Sequence, residues 1–365
     1  MEWKYPNLDG SNVTPLVTNQ TTVHGIASDV AAGRLYFADG LGTRIRSAHL
    51  ADGGDIQAVN VGSARNPWLA WRPAPWSGAT TVALRRPERT SRMNHPEHGE
   101  ARSLEELIQV ALEGDEEDER AWEALRALHA RGTRDVLEAA LGLLGSPSAK
   151  ARGRGADILG QLGAGAPVFQ TERGDALVDL LRREREPEVL LSAGVALSHL
   201  VEPRALAVLV ALAGHPSAEA RYGAAHGLAV LDAPEAVEAL IRLSADEDRD
   251  VRDWATFGLG TLMEARDTPE LRDALVARLG DEDPEIAGEA LVGLATRKDA
   301  RAVEPVRAAL KGERVMVYAL EAAAALGDPS FHPLLLALRD AGGPSEGYFR
   351  SVLEEVIFRF EQEPA

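Results

Sequence analysis

A leucine recurs at Leu125, Leu159, Leu197, Leu228, Leu259 and Leu294, and four residues before each stands a small one: Ala121, Gly155, Ala193, Ala224, Ala255 and Ala290. A seventh copy carries Ala323 in the leucine slot and Ala319 before it, so the successive spacings are 34, 38, 31, 31, 35 and 29 residues. A period of ~30–40 residues is the length of one helix-turn-helix unit, which cannot bury its apolar face alone. The chain is therefore read as mostly α, an α-solenoid of about seven stacked helix pairs. Residues four apart share a helical face, so each first helix presents a small residue beside a leucine. Where Ala or Gly meets a neighbouring helix, the backbones approach closely and the leucine fills the space to the side.

Six residues after the marker position come Pro203, Pro234 and Pro329, with the polar turn residues Glu202, Asp232 and Asp328 ahead of them. Proline resists continuation of one helix and suits the start of the next, so these residues mark the turn into a second helix. The second helices are predicted at 136–144, 176–181, 205–212, 236–243, 271–279, 302–310 and 331–338, each apolar at helical spacing.

The stretch His215-Pro216-Ser217-Ala218-Glu219-Ala220-Arg221, running into Ala224 and Gly227-Leu228, resembles the bacterial HEAT-like repeats of the phycobilisome-lyase type. So does Val251-Arg252-Asp253-Trp254-Ala255-Thr256-Phe257-Gly258-Leu259-Gly260, and the resemblance covers residues 103 to 365. In that family an arginine seven before the marker laces adjacent repeats together. Here it is present as Arg152, Arg221 and Arg252 but replaced by Leu190 and Ala287, so incomplete lacing is expected.

The first 63 residues follow a different period. Short alternating segments bounded by Gly and Asp read as strands with tight turns. The run His24 to Asp29, then Gly33-Arg34-Leu35-Tyr36-Phe37-Ala38-Asp39, resembles one blade of the six-bladed propellers of low-density lipoprotein receptors, with Tyr-Phe-Ala-Asp in place of Tyr-Trp-Thr-Asp. Leu8-Asp9-Gly10-Ser11 reads as the end of a preceding blade. One blade cannot close a ring. Residues 64–102, with clustered Trp, Pro and Arg around Trp68, Trp71 and Trp76, fit neither period and read as a linker. Met93 followed by a polar lead-in and a helix looks like a protein start, so the blade is expected to be a remnant, a fusion scar or a misplaced upstream start. The organisation is thus 1–63 β fragment, 64–102 linker and 103–365 helical repeats.

Charge divides unevenly. Residues 1–92 hold 10 Lys+Arg against 7 Asp+Glu, whereas residues 93–365 hold 29 against 50. An acidic solenoid repels a nucleic-acid backbone, so no nucleic-acid partner is expected. Arg182, Arg183 and Arg185 form a local basic run, but at a helix end, where cations favour the dipole. With no cysteine, no Cys-ligated zinc site or thiol nucleophile is possible. No apolar run of ~18 residues and no leader segment occurs, which points to a cytoplasmic protein with no membrane partner.

No catalytic constellation stands out, and neither a cofactor nor a metal is expected. His129, His199, His215, His226 and His332 are scattered. The acidic run 115–119 lacks the spacing of a calcium loop. With Asp246-Glu247-Asp248 and Asp281-Glu282-Asp283 it recurs before first helices, as structural helix starts would. Ser103-Leu104-Glu105-Glu106 is a capping box that opens the array. Residues 345–361, rich in Phe349, Val352, Ile357, Phe358 and Phe360, read as a bulky closing helix.

The candidate surface centres on the fifth repeat, where ~100° per residue puts Trp254 beside the core stripe and Phe257 well off it, with Tyr222 and His226 in the matching slots of the preceding repeat; if exposed, the four form an aromatic patch. Acids on the second helices, Glu235, Glu238, Asp273 and Glu304, are expected to select a basic protein partner. The expected role is a non-catalytic protein-interaction scaffold. The alternative from another class is an enzyme of lyase or DNA-glycosylase type using the concave face.

Overall fold

The structure, a computed structural model, describes the backbone of residues 3–5, 14–17, 23–29, 34–39, 44–49, 57–59 and 347–348 and the whole of residues 102–114, 118–163, 168–341 and 349–362. The segment Leu8 to Ser11, residues 115–117 of the acidic run and all but Arg102 of the expected linker lie outside the described residues.

Near the N terminus, β1 (Trp3–Tyr5) pairs with β2 (Thr14–Val17), and β3 (Val23–Asp29), β4 (Arg34–Asp39), β5 (Arg44–His49) and β6 (Gln57–Val59) form a four-stranded antiparallel sheet in chain order. From residue 103 onward everything described is helical. Between α1 (Leu104–Glu113) and α16 (Gly347–Gln362) run seven pairs. They are α2 (Glu119–Arg131) with α3 (Arg134–Leu143), α4 (Ala149–Gln161) with α5 (Gln170–Arg183), α6 (Pro187–Leu200) with α7 (Leu206–Leu212) and α8 (Ala218–Ala229) with α9 (Pro234–Leu243). There follow α10 (Arg249–Phe257) with α11 (Pro269–Arg278), α12 (Pro284–Thr296) with α13 (Val303–Leu310) and α14 (Val317–Leu326) with α15 (His332–Asp340). The prolines sit where expected: Pro203 and Pro329 open 3₁₀ turns that lead into α7 and α15, and Pro234 opens α9.

Contacts divide the chain into two compact units, residues 77–297 and residues 1–76 with 298–365. In the first, α2, α4, α6, α8, α10 and α12 pack successively in one layer, and α5, α7, α9 and α11 in a second. Leu125, Leu159, Leu197, Leu228, Leu259 and Leu294 are fully buried, as are their small partners. The reason these helices pack so closely is the absence of side chain at the contact. A Cβ on Gly194 would collide with the Gly223 carbonyl, one on Gly223 would lie 2.8 Å from Leu191 Cα, and one on Gly160 2.8 Å from Ala196 Cα. The α10–α12 contact repeats the device, with Gly293 facing Gly260. The opening is the expected capping box: Ser103 Oγ accepts from the Glu106 amide and Glu106 Oε2 from the Ser103 amide. In the second unit α16 packs on α14 and α15, burying Phe349, Val352, Leu353, Val356 and Ile357. Phe358 does not join them; it is 58% exposed.

Between repeats runs a recurring arginine clasp. Arg221 donates through Nε and Nη2 to Asp246, both at 2.7 Å, and through Nη1 to the carbonyls of His215 and Pro216. Arg152 bonds Glu184 and the carbonyls of Ser146 and Pro147 in the same way, and Arg252 bonds Asp281 and the carbonyls of Asp246 and Glu247. Each carboxylate stands two residues before a helix N-cap and also accepts the N-cap amide. Where the arginine is replaced by Leu190, the carboxylate slot of the next turn holds His215, whose Nδ1 accepts from Ser217 instead. Acid and arginine are thus present together or absent together, because either alone would be a buried unpaired charge.

Two expectations follow for thermal or denaturant unfolding. Gly194→Ala, which forces backbone apart, is expected to cost about 1–3 kcal/mol, whereas Gly142→Ala on the exposed side of α3 should gain about 0.5–1 kcal/mol. Arg221→Ala should cost about 3–5 kcal/mol, and the double variant with Asp246→Ala should recover part of that loss, since it removes the orphaned carboxylate.

Candidate functional site

Tyr222 and His226 lie one turn apart on α8, and Trp254 and Phe257 on α10, so the α8–α10 packing brings the four predicted aromatics together. His226 stacks on Trp254 with ring centroids 3.6 Å apart and planes 18° from parallel. Tyr222 meets both edge-on, at 4.7 Å from His226 and 6.2 Å from Trp254, and Phe257 tilts against Trp254 at 5.4 Å. All four are half-buried. Sequence spacing placed Phe257 well off the core stripe; the structure adds that α10 continues beyond it into a π-helical turn, Gly258–Leu262.

That turn is held by a residue the sequence reading passed over. Arg297, buried beyond the end of α12, donates to the carbonyls of Leu259, Gly260, Met263, Arg266 and Gly293. Arg173 does the same for Leu159 and Gly160 at the end of α4. Both positions follow from unfilled C-terminal carbonyls and the negative end of the helix dipole. Burial pushes both guanidinium pKa values down. Their only recognisable sign in the sequence is an arginine just past or opposite a marker helix.

The acids of the second helices, Glu235 and Glu238 on α9, Asp273 on α11 and Glu304 on α13, are all exposed. Glu304 meets Arg307 at 3.3 Å; the aromatic tile and the acids of α9 and α11 belong to different helix layers. The basic run is consumed internally: Arg182 pairs with Asp179, Arg183 donates to the Leu144 carbonyl and Arg185 to that of Glu184. The recurrent acids are structural as expected. Asp118, Asp248 and Asp283 cap α2, α10 and α12, while Asp246 and Asp281 close the clasps. No group of three or more potential metal ligands occurs among the described residues, and no described helix is long and apolar enough to cross a membrane.

Arg249 at the start of α10 touches four carboxylates, Asp250, Asp253, Asp283 and Glu285, at 3.2, 3.7, 2.7 and 2.5 Å. Asp283 above all holds its guanidinium above the ordinary range. Burial drives the His226 imidazole down to about 3, with His199 adding repulsion, and that of His129 down to about 4. His129 Nε2 faces the Asp157 carbonyl at 3.0 Å.

A histidine kept neutral by burial stabilises the fold fully above its unfolded pKa of 6.5 and loses that contribution as pH falls toward the folded value. Glu184, held at about 2 by its bonds from Arg152, Arg185 and Glu186 against the opposing effect of burial, contributes above 4.5 and loses it only in stronger acid. The denaturation midpoint is therefore expected to fall between pH 7 and 5, and His226→Phe should flatten that slope while leaving the decline below pH 4.5 in place.

Comparison with known proteins follows this geometry. Residues 174–260 and 242–327 match the family model for HEAT repeats. Sequence comparison with curated proteins finds no match. Among solved structures, YibA of Escherichia coli is 22% identical, with 73% of this chain and 100% of that chain covered and a TM-score of 0.53. The complex of CpcE and CpcF of phycocyanin lyase from Nostoc sp. PCC7120 gives 17%, 74%, 100% and 0.41, and a designed armadillo repeat protein in complex with the peptide (KR)4 gives 18%, 53%, 98% and 0.38. The last two are too distant to carry an argument. Residues 174–327 are thus similar to HEAT repeats, and the described helices on either side continue the same pairing.

Proposed function

We propose that the protein is a non-catalytic scaffold that binds a basic protein partner through the acidic outer face of its second helices. The observation that supports this is how the two signs of charge are used. Arginines are drawn into clasps, caps and helix-end bonds: Arg152, Arg173, Arg221, Arg252 and Arg297 are bonded inside the array, and Arg134, Arg204 and Arg266 are tied to Glu172, Glu202 and Asp232. Glu235 and Glu238 on α9 and Glu270 and Asp273 on α11 are exposed, in adjacent helices. On this reading the surplus acids of the described helices face outward. Such a field accelerates encounter with a cationic surface and repels polyanions. Repeat arrays present extended binding faces, and their helix pair serves many proteins without catalysis. A cytoplasmic setting agrees with this role.

We further read β3–β6 as one propeller-type blade. Its support is the four-stranded antiparallel order, with Tyr36-Phe37-Ala38-Asp39 on β4.

Titration with a small protein of high pI tests the scaffold reading. Binding is expected at 50 mM salt and should weaken at least about tenfold by 300 mM. The combined variant Glu235→Gln, Glu238→Gln, Asp273→Asn should lose most of that affinity at an unchanged melting temperature. Absence of binding at low salt, or binding indifferent to salt and to this variant, overturns the reading; turnover of a small molecule would favour the enzyme alternative.

A further inference from the structure

Amphipathic aromatic side chains at a protein surface ordinarily turn their polar atom to water and their carbons inward. The tile on α8 and α10 does the reverse. Tyr222 Oη, His226 Nε2 and Trp254 Nε1 are all withdrawn from solvent, although the three residues remain half-exposed. The two ring nitrogens meet no hydrogen-bond partner among the described residues. The surface offered is thus largely ring carbon from four mutually packed side chains, while two nitrogens bear an uncompensated desolvation cost. Nothing in the packing of α8 on α10 demands this, because the core contact is made by Ala224, Leu228, Ala255 and Leu259 beneath.

The rim specifies what the tile receives. Asp250, one turn before Trp254, and Glu219, one turn before Tyr222, are exposed. The cations nearest in sequence are already held by carboxylates: Arg221 by Asp246, Arg252 by Asp281 and Arg249 by four acids. Apolar ring carbon bordered by carboxylates suits a side chain with an apolar stem and a cationic head. Arginine fits best, since its stem lies on carbon and its weakly hydrated planar guanidinium both stacks on rings and forks to carboxylates.

We propose that Tyr222, His226, Trp254 and Phe257 seat an arginine side chain carried by an extended basic segment of the partner protein. This rests on the scaffold reading above but lies in the other helix layer, so the two separate experimentally. The probe is an octapeptide of alternating arginine and glycine, labelled for fluorescence anisotropy, with a glutamine-for-arginine peptide as control.

The arginine peptide should bind at least about tenfold more tightly than the control. Trp254→Leu should weaken it about tenfold and Trp254→Phe less than threefold. Phe257→Ser, at the margin of the tile, supplies an independent loss if Trp254→Leu fails to fold. Arginine-peptide affinity that is unchanged by Trp254→Leu and Phe257→Ser yet lost in the variant Glu235→Gln, Glu238→Gln, Asp273→Asn sinks the aromatic seat and leaves the acidic scaffold standing. Equal binding of the two peptides sinks the seat, and failure of both to bind sinks both readings. A leucine-for-arginine peptide binding as tightly, or self-association of the chain abolished by Trp254→Leu, also overturns the proposal by naming a different occupant.

Discussion

The array depends on backbone touching backbone. At α4–α6, α6–α8 and α10–α12 the closest approach is made at Gly160, Gly194, Gly223, Gly260 and Gly293, with Gly194 meeting Gly223 and Gly260 meeting Gly293 backbone to backbone. Dispersion falls steeply with distance, so this closeness turns many weak atom pairs into the main cohesive term of the layer. It also sets the register: Gly194 must meet Gly223, which fixes where the marker leucines fall and which residues remain at the outer edge of each helix. The aromatic tile is a consequence. His226 and Trp254 stack at 3.6 Å because α8 and α10 are held side by side in that register.

The arginine clasps act on a different part of the problem. Close packing is indifferent to charge, but the turns between helix pairs leave carbonyls that need donors. One guanidinium answers two carbonyls of its own turn and the carboxylate of the next, as at Arg221 with His215, Pro216 and Asp246. Bidentate geometry makes the bond directional, so it specifies repeat order as well as adding stability. Using arginine this way has a surface consequence. Arg221 and Arg252 are drawn into clasps with Asp246 and Asp281, while acids such as Glu235 and Glu238 stay on the exposed side of α9.

These rules are relaxed around α10. Across the fourth, fifth and sixth pairs lie the π-helical end of α10, Arg297 answering five carbonyls, and the rings of His226 and Trp254, each with a nitrogen sealed away unpaired. Departures from local satisfaction of this kind concentrate at working surfaces, because a fold has no reason of its own to keep them.

Much of this was legible beforehand. The period of the marker leucines determined seven helix pairs, the prolines determined where second helices begin, Ser103 and Glu106 determined the opening cap, and the Arg152, Arg221, Arg252 pattern determined where clasps form and where they are missing. Each depends on residues close in sequence or at a fixed period, which a one-dimensional reading can follow. Tertiary structure alone decided which glycines touch, since Gly194 and Gly223 are identified only by facing one another across two helices. It also decided that Arg297 reaches back 38 residues to the Leu259 carbonyl, and that Tyr222, His226 and Trp254 hide their polar atoms. A side chain's neighbours, and hence which of its atoms meet water, are set by packing across the layer and not by its place in the repeat.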